Sequence, residues 1–202
     1  RDLHSFPTRR SSDLVVVLTH NRDIRLRADD SVLDVVAGKP AMIRRSRGYA
    51  PLPCIMSGRW QGEVLGMGGE LKNSFCLGRG SLFYLSPYVG DLGDLRTAAA
   101  LADSLVRLER LLEIRPMLVA CDLHPLYQSS RLARELAAER GLPLLALQHH
   151  YAHVASCMAE NDCAERVIGV SFDGTGYGVD GSIWGGEFLL ADFQLPDRKS
   201  VV

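Results

Sequence analysis

Apolar positions fall in three short blocks at residues 64–68, 74–77 and 82–85, separated by Gly68-Gly69 and Gly78-Arg79-Gly80. Short apolar runs punctuated by glycine predict a three-stranded antiparallel meander. The period then changes. Leu101, Leu105, Leu108 and Leu112 recur at i, i+4, i+7 and i+11, one apolar stripe of a helix that Asp94 would cap. Residues 118–121 and 144–147 read as buried strands, and 129–140 as a helix stopped by Gly141. Residues 149–160 read as a further helix. Residues 167–172 and 183–191 read as strands joined by the turn-rich stretch 174–181. The order βββαβαβ, then helix and hairpin, predicts an α/β fold with a mixed sheet and helices on its faces.

The pattern before residue 64 is less regular. The β-branched run at 15–18 predicts a strand, and Asp30-Ser31 would cap a short helix over 32–36 that Gly38-Lys39-Pro40 ends. Residues 41–43 are again extended. Pro51, Pro53 and the polar stretch 57–62 predict a linker and a domain boundary.

Composition narrows the function classes. The chain has 23 Lys+Arg against 24 Asp+Glu, net charge −1, and 47% hydrophobic residues. That balance excludes a disordered chain and a basic, nucleic-acid-coating protein. No apolar run approaches the roughly 20 residues of a membrane helix. Five scattered cysteines without a CxxC pair predict reduced thiols and a cytoplasmic setting.

The densest chemistry is Gln148-His149-His150-Tyr151-Ala152-His153. On a helix, His149 and His153 share one face, a spacing that suits a common metal ion; exposed surface histidines are the alternative. Asp173, at the predicted C-terminal end of a strand, is the candidate acidic ligand, since open α/β sheets bind ligands at that edge. A plain Asp-Gly turn would also fit. Gly174 and Gly176 would let backbone approach an anion. Gly69, Lys72 and Asn73 lie between two meander strands, where they suit either a phosphate or a charged hairpin tip. Asp122 and His124 follow another strand and face the ligand edge, unless they belong to an ordinary polar loop. Arg44, Arg45 and Arg47 concentrate guanidiniums for a phosphate or form a solvated basic patch. Tyr127 and Trp184 are read as packing residues, and Cys121 and Cys157 as inert core thiols.

The succession HNRDI (20–24), DDSVLDVVAGKPAMIRRSRGYAP (29–51), GGELKNSFCLGRG (68–80), SPYVGDL (86–92), CDLHPLYQSSRLA (121–133), QHHYAHVASCMAE (148–160) and FDGTGYGVDGSIWGGEF (172–188) resembles the HypF family. These are the carbamoyltransferases of nickel-iron hydrogenase maturation. The resemblance implies that residues 15–53 are the tail of a YrdC-like domain and 54–60 a linker. Residues 61–196 would be the first half of an actin/Hsp70-like, ribonuclease-H-like ATPase domain. It implies ATP with Mg and carbamoyl phosphate as substrates, and a carbamoyl adenylate intermediate. The acceptor would be the C-terminal cysteine of a HypE-type partner, with no nucleic acid and no membrane involved. His149, His153 and Asp173 match the family's metal ligands, for iron or zinc. Structural zinc is implied only for family segments that precede residue 15. Lys72, Asn73 and Gly69, with Gly174 and Gly176, are expected at nucleotide or phosphate, and Arg44, Arg45 and Arg47 at the adenylate site. A related family, which transfers a threonylcarbamoyl group to transfer RNA, shares the histidine pair; the YrdC-like segment favours HypF.

Residues 1–14 and 197–202 match no such motif. They read as translations of the two strands of a common sequencing-library adapter. The remaining segment is then expected to be an internal piece of a longer enzyme, without turnover on its own.

Overall fold

A computed structural model describes residues 21–23, 27–58 and 60–193. The expected strand at 15–18 and both adapter-like ends lie outside the described residues.

The first element corrects the sequence reading. Residues 32–36 form a strand, β1 (Val32–Val36), paired antiparallel with β2 (Lys39–Arg44). Three valines in five residues favour extended backbone over helix. Ala37 and Gly38 both take positive φ, 51° and 76°, the geometry of a tight hairpin turn. The residues expected to stop a helix therefore turn a hairpin.

Six strands build the main sheet: β3 (Pro53–Ile55), β4 (Glu63–Met67), β5 (Phe75–Arg79), β6 (Leu82–Leu85), β7 (Leu118–Asp122) and β8 (Leu144–Leu147). Their order is β3-β6-β5-β4-β7-β8. The meander β4-β5-β6 is antiparallel as its glycine-separated pattern predicts, and β7 and β8 add in parallel beyond β4. β3 pairs with β6 at the far edge, so residues 53–55, expected at the start of a linker, belong to the sheet. Proline at the first position of an edge strand costs no ladder bond that the strand needs.

Helix α1 (Leu95–Leu112) begins where Asp94 accepts a hydrogen bond from the Arg96 amide. It buries Leu101, Leu105 and Leu108, the predicted stripe. Helix α2 (Gln128–Arg140) stops at Gly141. These helices and the sheet enclose one core that includes Leu65, Phe75, Leu77, Leu101 and Val119, each at most 1% exposed.

Helix α3 (His149–Glu160) packs instead on a separate two-stranded ribbon, β9 (Val167–Tyr177) and β10 (Ile183–Ala191). Val154, Met158, Leu189 and Ala191 form its small core. β9 runs eleven residues, so Asp173 and Gly174 lie within the strand rather than at its end or in a turn. Gly178–Ser182 closes the hairpin, with the Gly178 amide donating to the Ser182 carbonyl. The register shifts between Trp184 and Gly186, so Asp173, Gly174 and Thr175 lie on a bulge of β9, beyond which the ladder resumes with Trp184 opposite Gly176 and Ile183 opposite Tyr177.

Candidate metal centre

Parallel strands β7 and β8 bring two loops to one sheet edge. β7 ends in Asp122, and β8 leads through Gln148 into α3. Gln148 caps α3 by accepting from the Tyr151 amide, and its Nε2 donates to the Tyr177 carbonyl of β9. The first turn of α3 is thereby held against the ribbon.

The three sequence candidates converge there. The Nε2 of His149 lies 2.9 Å from Asp173 Oδ2 and 3.2 Å from His153 Nε2, and His153 Nε2 lies 3.5 Å from the same carboxylate oxygen. One donor atom from each residue falls within 4.8 Å of the other two. Two imidazole nitrogens and one carboxylate oxygen are a donor set for zinc or iron, with room for exogenous ligands.

Asp122 completes the arrangement, and the sequence reading placed it at this edge without a role. Its Oδ2 accepts from His149 Nδ1, while its Oδ1 accepts from the His124 amide at 2.7 Å. Nδ1 therefore carries a proton, which leaves Nε2, the atom facing His153 and Asp173, as the one that would bind a metal. A carboxylate behind a metal-binding histidine fixes tautomer and ring orientation. The Asp122 hydrogen bond raises the His149 pKa above its ordinary value, against an opposing effect of burial. At Asp173, burial pushes the carboxyl up, but the charge and hydrogen bond of His149 and the Thr175 amide together leave it below the ordinary range.

His150 points the other way. It is fully buried, and its Nε2 donates to the Asp173 carbonyl at 3.0 Å. A Cβ on Gly176 would lie 2.4 Å from His150 Nε2, so this position admits only glycine. Gly176 thus serves close packing beside the ligands, whereas a Cβ on Gly174 would meet nothing within 4 Å.

The expected phosphate loop lies next to the triad: a Cβ on Gly69 would approach His149 Cε1 at 3.8 Å. Asn73 is fully buried, contrary to a role at the loop surface. Its Nδ2 donates to the Gly69 carbonyl and its backbone pairs with Gly90, so it shapes the loop from inside. Lys72 is exposed and reaches the rim of a cavity of about 570 Å³ that Arg44, Arg45 and Tyr88 also line. Arg44 lies 4.1 Å over the Tyr88 ring and bonds Asp29, and Arg45 donates to the Leu52 carbonyl. Arg47 is not among the lining residues; it pairs with Asp30 and donates to the Ala28 carbonyl.

The minor assignments divide. Cys121 is buried, and desolvation raises its thiol pKa, as fits an inert core residue. Cys157 is exposed, because it follows His153 by one helical turn on the open face of α3. Tyr127 stacks on His124 and Trp184 donates from Nε1 to Asp180.

Comparison with known proteins places these features in context. A family model described as the HypF Kae1-like domain matches residues 59–160. A second, the carbamoyltransferase Kae1-like domain, second subdomain, matches residues 169–200 and so runs into the adapter-like end. Carbamoyltransferase HypF2 of Cupriavidus necator is 49% identical over 87% of this chain and 22% of its own length. Carbamoyltransferase HypF of Synechocystis sp. is 43% identical over 85% of the chain and 22% of its own length. The chain thus spans about a fifth of the curated relatives it matches. The crystal structure of full-length HypF in the phosphate- and nucleotide-bound form superposes with a TM-score of 0.80 at 42% identity, covering 87% of this chain and 27% of that one. That of T. kodakarensis HypF gives 0.72, also at 42% identity, covering 81% and 21%.

Proposed function

We propose, since the chain belongs to the HypF family, that it forms part of an ATP-dependent carbamoyltransferase of nickel-iron hydrogenase maturation. The observation that carries this reading is the convergence of His149, His153 and Asp173 on one point, between segments matched by both carbamoyltransferase models.

In this reading carbamoyl phosphate and ATP, with Mg, yield a carbamoyl adenylate at a YrdC-like site, to which residues 15–53 belong. The carbamoyl group then passes to the C-terminal cysteine thiolate of a HypE-type partner at the site described here. An adenylate suits the transfer because phosphate is a good leaving group and a thiolate is intrinsically nucleophilic. The setting is cytoplasmic, where the acceptor thiol stays reduced; among the described residues no helix is long and apolar enough to cross a membrane.

The residues fit a metal ion, iron or zinc. His149 and His153 would bind through Nε2 and Asp173 through Oδ2. When bound, the ion supplies Lewis-acid polarisation of a phosphoryl or carbonyl oxygen. The chain's own groups do the positioning. Asp122 holds the His149 ring, and His150 holds the β9 backbone at Asp173. The loop of Gly69, Lys72 and Asn73, with Gly174 and Gly176 opposite, flanks the nucleotide phosphates. Arg44, Arg45 and Arg47 belong with the adenylate side.

The test is coupled turnover in a full-length enzyme carrying this segment. AMP and pyrophosphate should form only when ATP and carbamoyl phosphate are present together. ATP consumption that ignores carbamoyl phosphate would contradict the reading.

A further inference from the structure

A second group, of polar aromatic side chains, lies beside the triad. The His124 ring stacks on Tyr127, with centroids 4.1 Å apart and planes at 11°, and meets Tyr177 edge-on at 5.0 Å. All three are half-buried. Two links place the group at the centre's margin. The His124 amide donates to the same Asp122 carboxylate that holds His149. The Tyr177 carbonyl accepts from Gln148, the residue before His149. The Tyr127 phenol is held above its ordinary pKa by burial and then by the charges of Asp122, Asp173 and Glu70, so it too lies within reach of the carboxylates.

The protonation of His124 follows from one contact. Its Nδ1 lies 3.2 Å from the Leu126 amide. A backbone N–H only donates, so Nδ1 accepts and the ring proton sits on Nε2. Nε2–H is on the far edge of the ring from that amide, and no partner for it is found among the described residues. A neutral, oriented donor that stacking keeps from rotating is the kind of group that stabilises charge developing on a carbonyl oxygen. It also suits a setting where Asp122, Asp173 and Glu70 already concentrate negative charge, because it adds no ion to be desolvated.

We infer that His124 is a catalytic residue whose Nε2–H donates to the carbonyl oxygen of the carbamoyl group during transfer, with Tyr127 and Tyr177 holding its ring. This rests on the carbamoyl-transfer reading given above. The acceptor thiolate sulfur forms a bond to the carbamoyl carbon, and the π electrons of C=O move onto the oxygen, where the His124 donor meets them. On collapse the carbon–oxygen bond to the adenylate phosphate breaks and its electron pair leaves with AMP. The thiolate's negative charge ends on AMP, and His124 keeps its proton throughout.

The test compares His124→Phe with His124→Gln in a full-length enzyme carrying this segment, using a peptide ending in cysteine as acceptor. Glutamine keeps a donor near the position of Nε2 and phenylalanine keeps only the ring. His124→Phe should lower kcat for carbamoyl transfer about 100-fold, the usual cost of losing one such donor. His124→Gln should stay within about tenfold of the wild type, since it preserves that donor. Bound metal and carbamoyl-phosphate-dependent pyrophosphate release should be unchanged in both. Full transfer by His124→Phe would overturn the inference, and so would equal losses in both variants or loss of metal. A wild-type enzyme that forms the adenylate but never loads the thiol would instead overturn the functional reading beneath it.

Discussion

The sheet with α1 and α2 and the α3–ribbon unit are built on different terms. Among the described residues, the first encloses thirteen buried ones around Leu65, Phe75 and Leu101. The second encloses four, and its outer face carries Ile168, Phe172 and Phe188 at 75%, 78% and 57% exposure. Yet all three metal-ligand candidates stand on the second unit, His149 and His153 on α3 and Asp173 on β9. The first unit reaches them through Asp122 at the end of β7. Stability and chemistry are thus largely separated, and the Asp122 carboxylate couples the sheet to the His149 ligand. Sites are commonly carried by the less stable parts of a fold and oriented by the more stable parts.

That division is tested most severely in the core. Leu101→Ala should cost roughly 2–5 kcal/mol, as truncation of a fully buried leucine does, measured by denaturant unfolding of the purified protein. A smaller loss would mean that α1 is not the central packing element. Next in size is the coupling itself. Asp122→Asn should weaken metal binding about 10- to 100-fold, the usual effect of removing such an orienting carboxylate, with little change in the far-ultraviolet circular dichroism. Unaltered affinity would show that α3 and β9 set the ligand geometry unaided.

The helix starts sharpen the comparison further. The Asp94 carboxyl is held down at about 2 by hydrogen bonds from the Arg96 side chain and amide. Its folded value lies below the ordinary 3.8, so its contribution to α1 is present above 3.8 and is lost as pH falls through about 2. A carboxyl titration by NMR should place its midpoint there; a midpoint near 3.8 would remove the cap from the account. The smallest effect is expected on the ribbon's open face. Phe172→Ser should change stability by no more than about 0.5 kcal/mol, as surface substitutions do, while reducing self-association in light scattering. A large destabilisation would show that the ribbon's outer face is packed.

Much of the first unit was legible because its period is local. Leu101, Leu105 and Leu108 announce α1 by spacing alone, and the glycines between residues 64 and 85 announce the meander. The hairpin at 32–44 is hard to read from sequence because Asp30-Ser31 before an apolar run also describes a helix start; three valines and a positive-φ pair decide the outcome. The glycines of residues 174–178 look like a loop in sequence, although β9 continues to Tyr177 and Gly176 pairs with Trp184 beyond a bulge. The exposure of Cys157 is not legible in sequence, because an apolar neighbourhood does not say which face of α3 looks outward. The ligand triad was visible from HxxxH and one aspartate. The role of Asp122 was not, because its contact with His149 spans 27 residues and depends on two parallel strands ending side by side.

The most direct measurement is metal stoichiometry and affinity of the purified protein for iron(II) and zinc, compared with His153→Ala and Asp173→Ala. The account predicts one tightly bound ion per chain in the wild type and loss of that ion in both variants, with the circular dichroism of the sheet and helices preserved. Equal metal binding by all three proteins would contradict it.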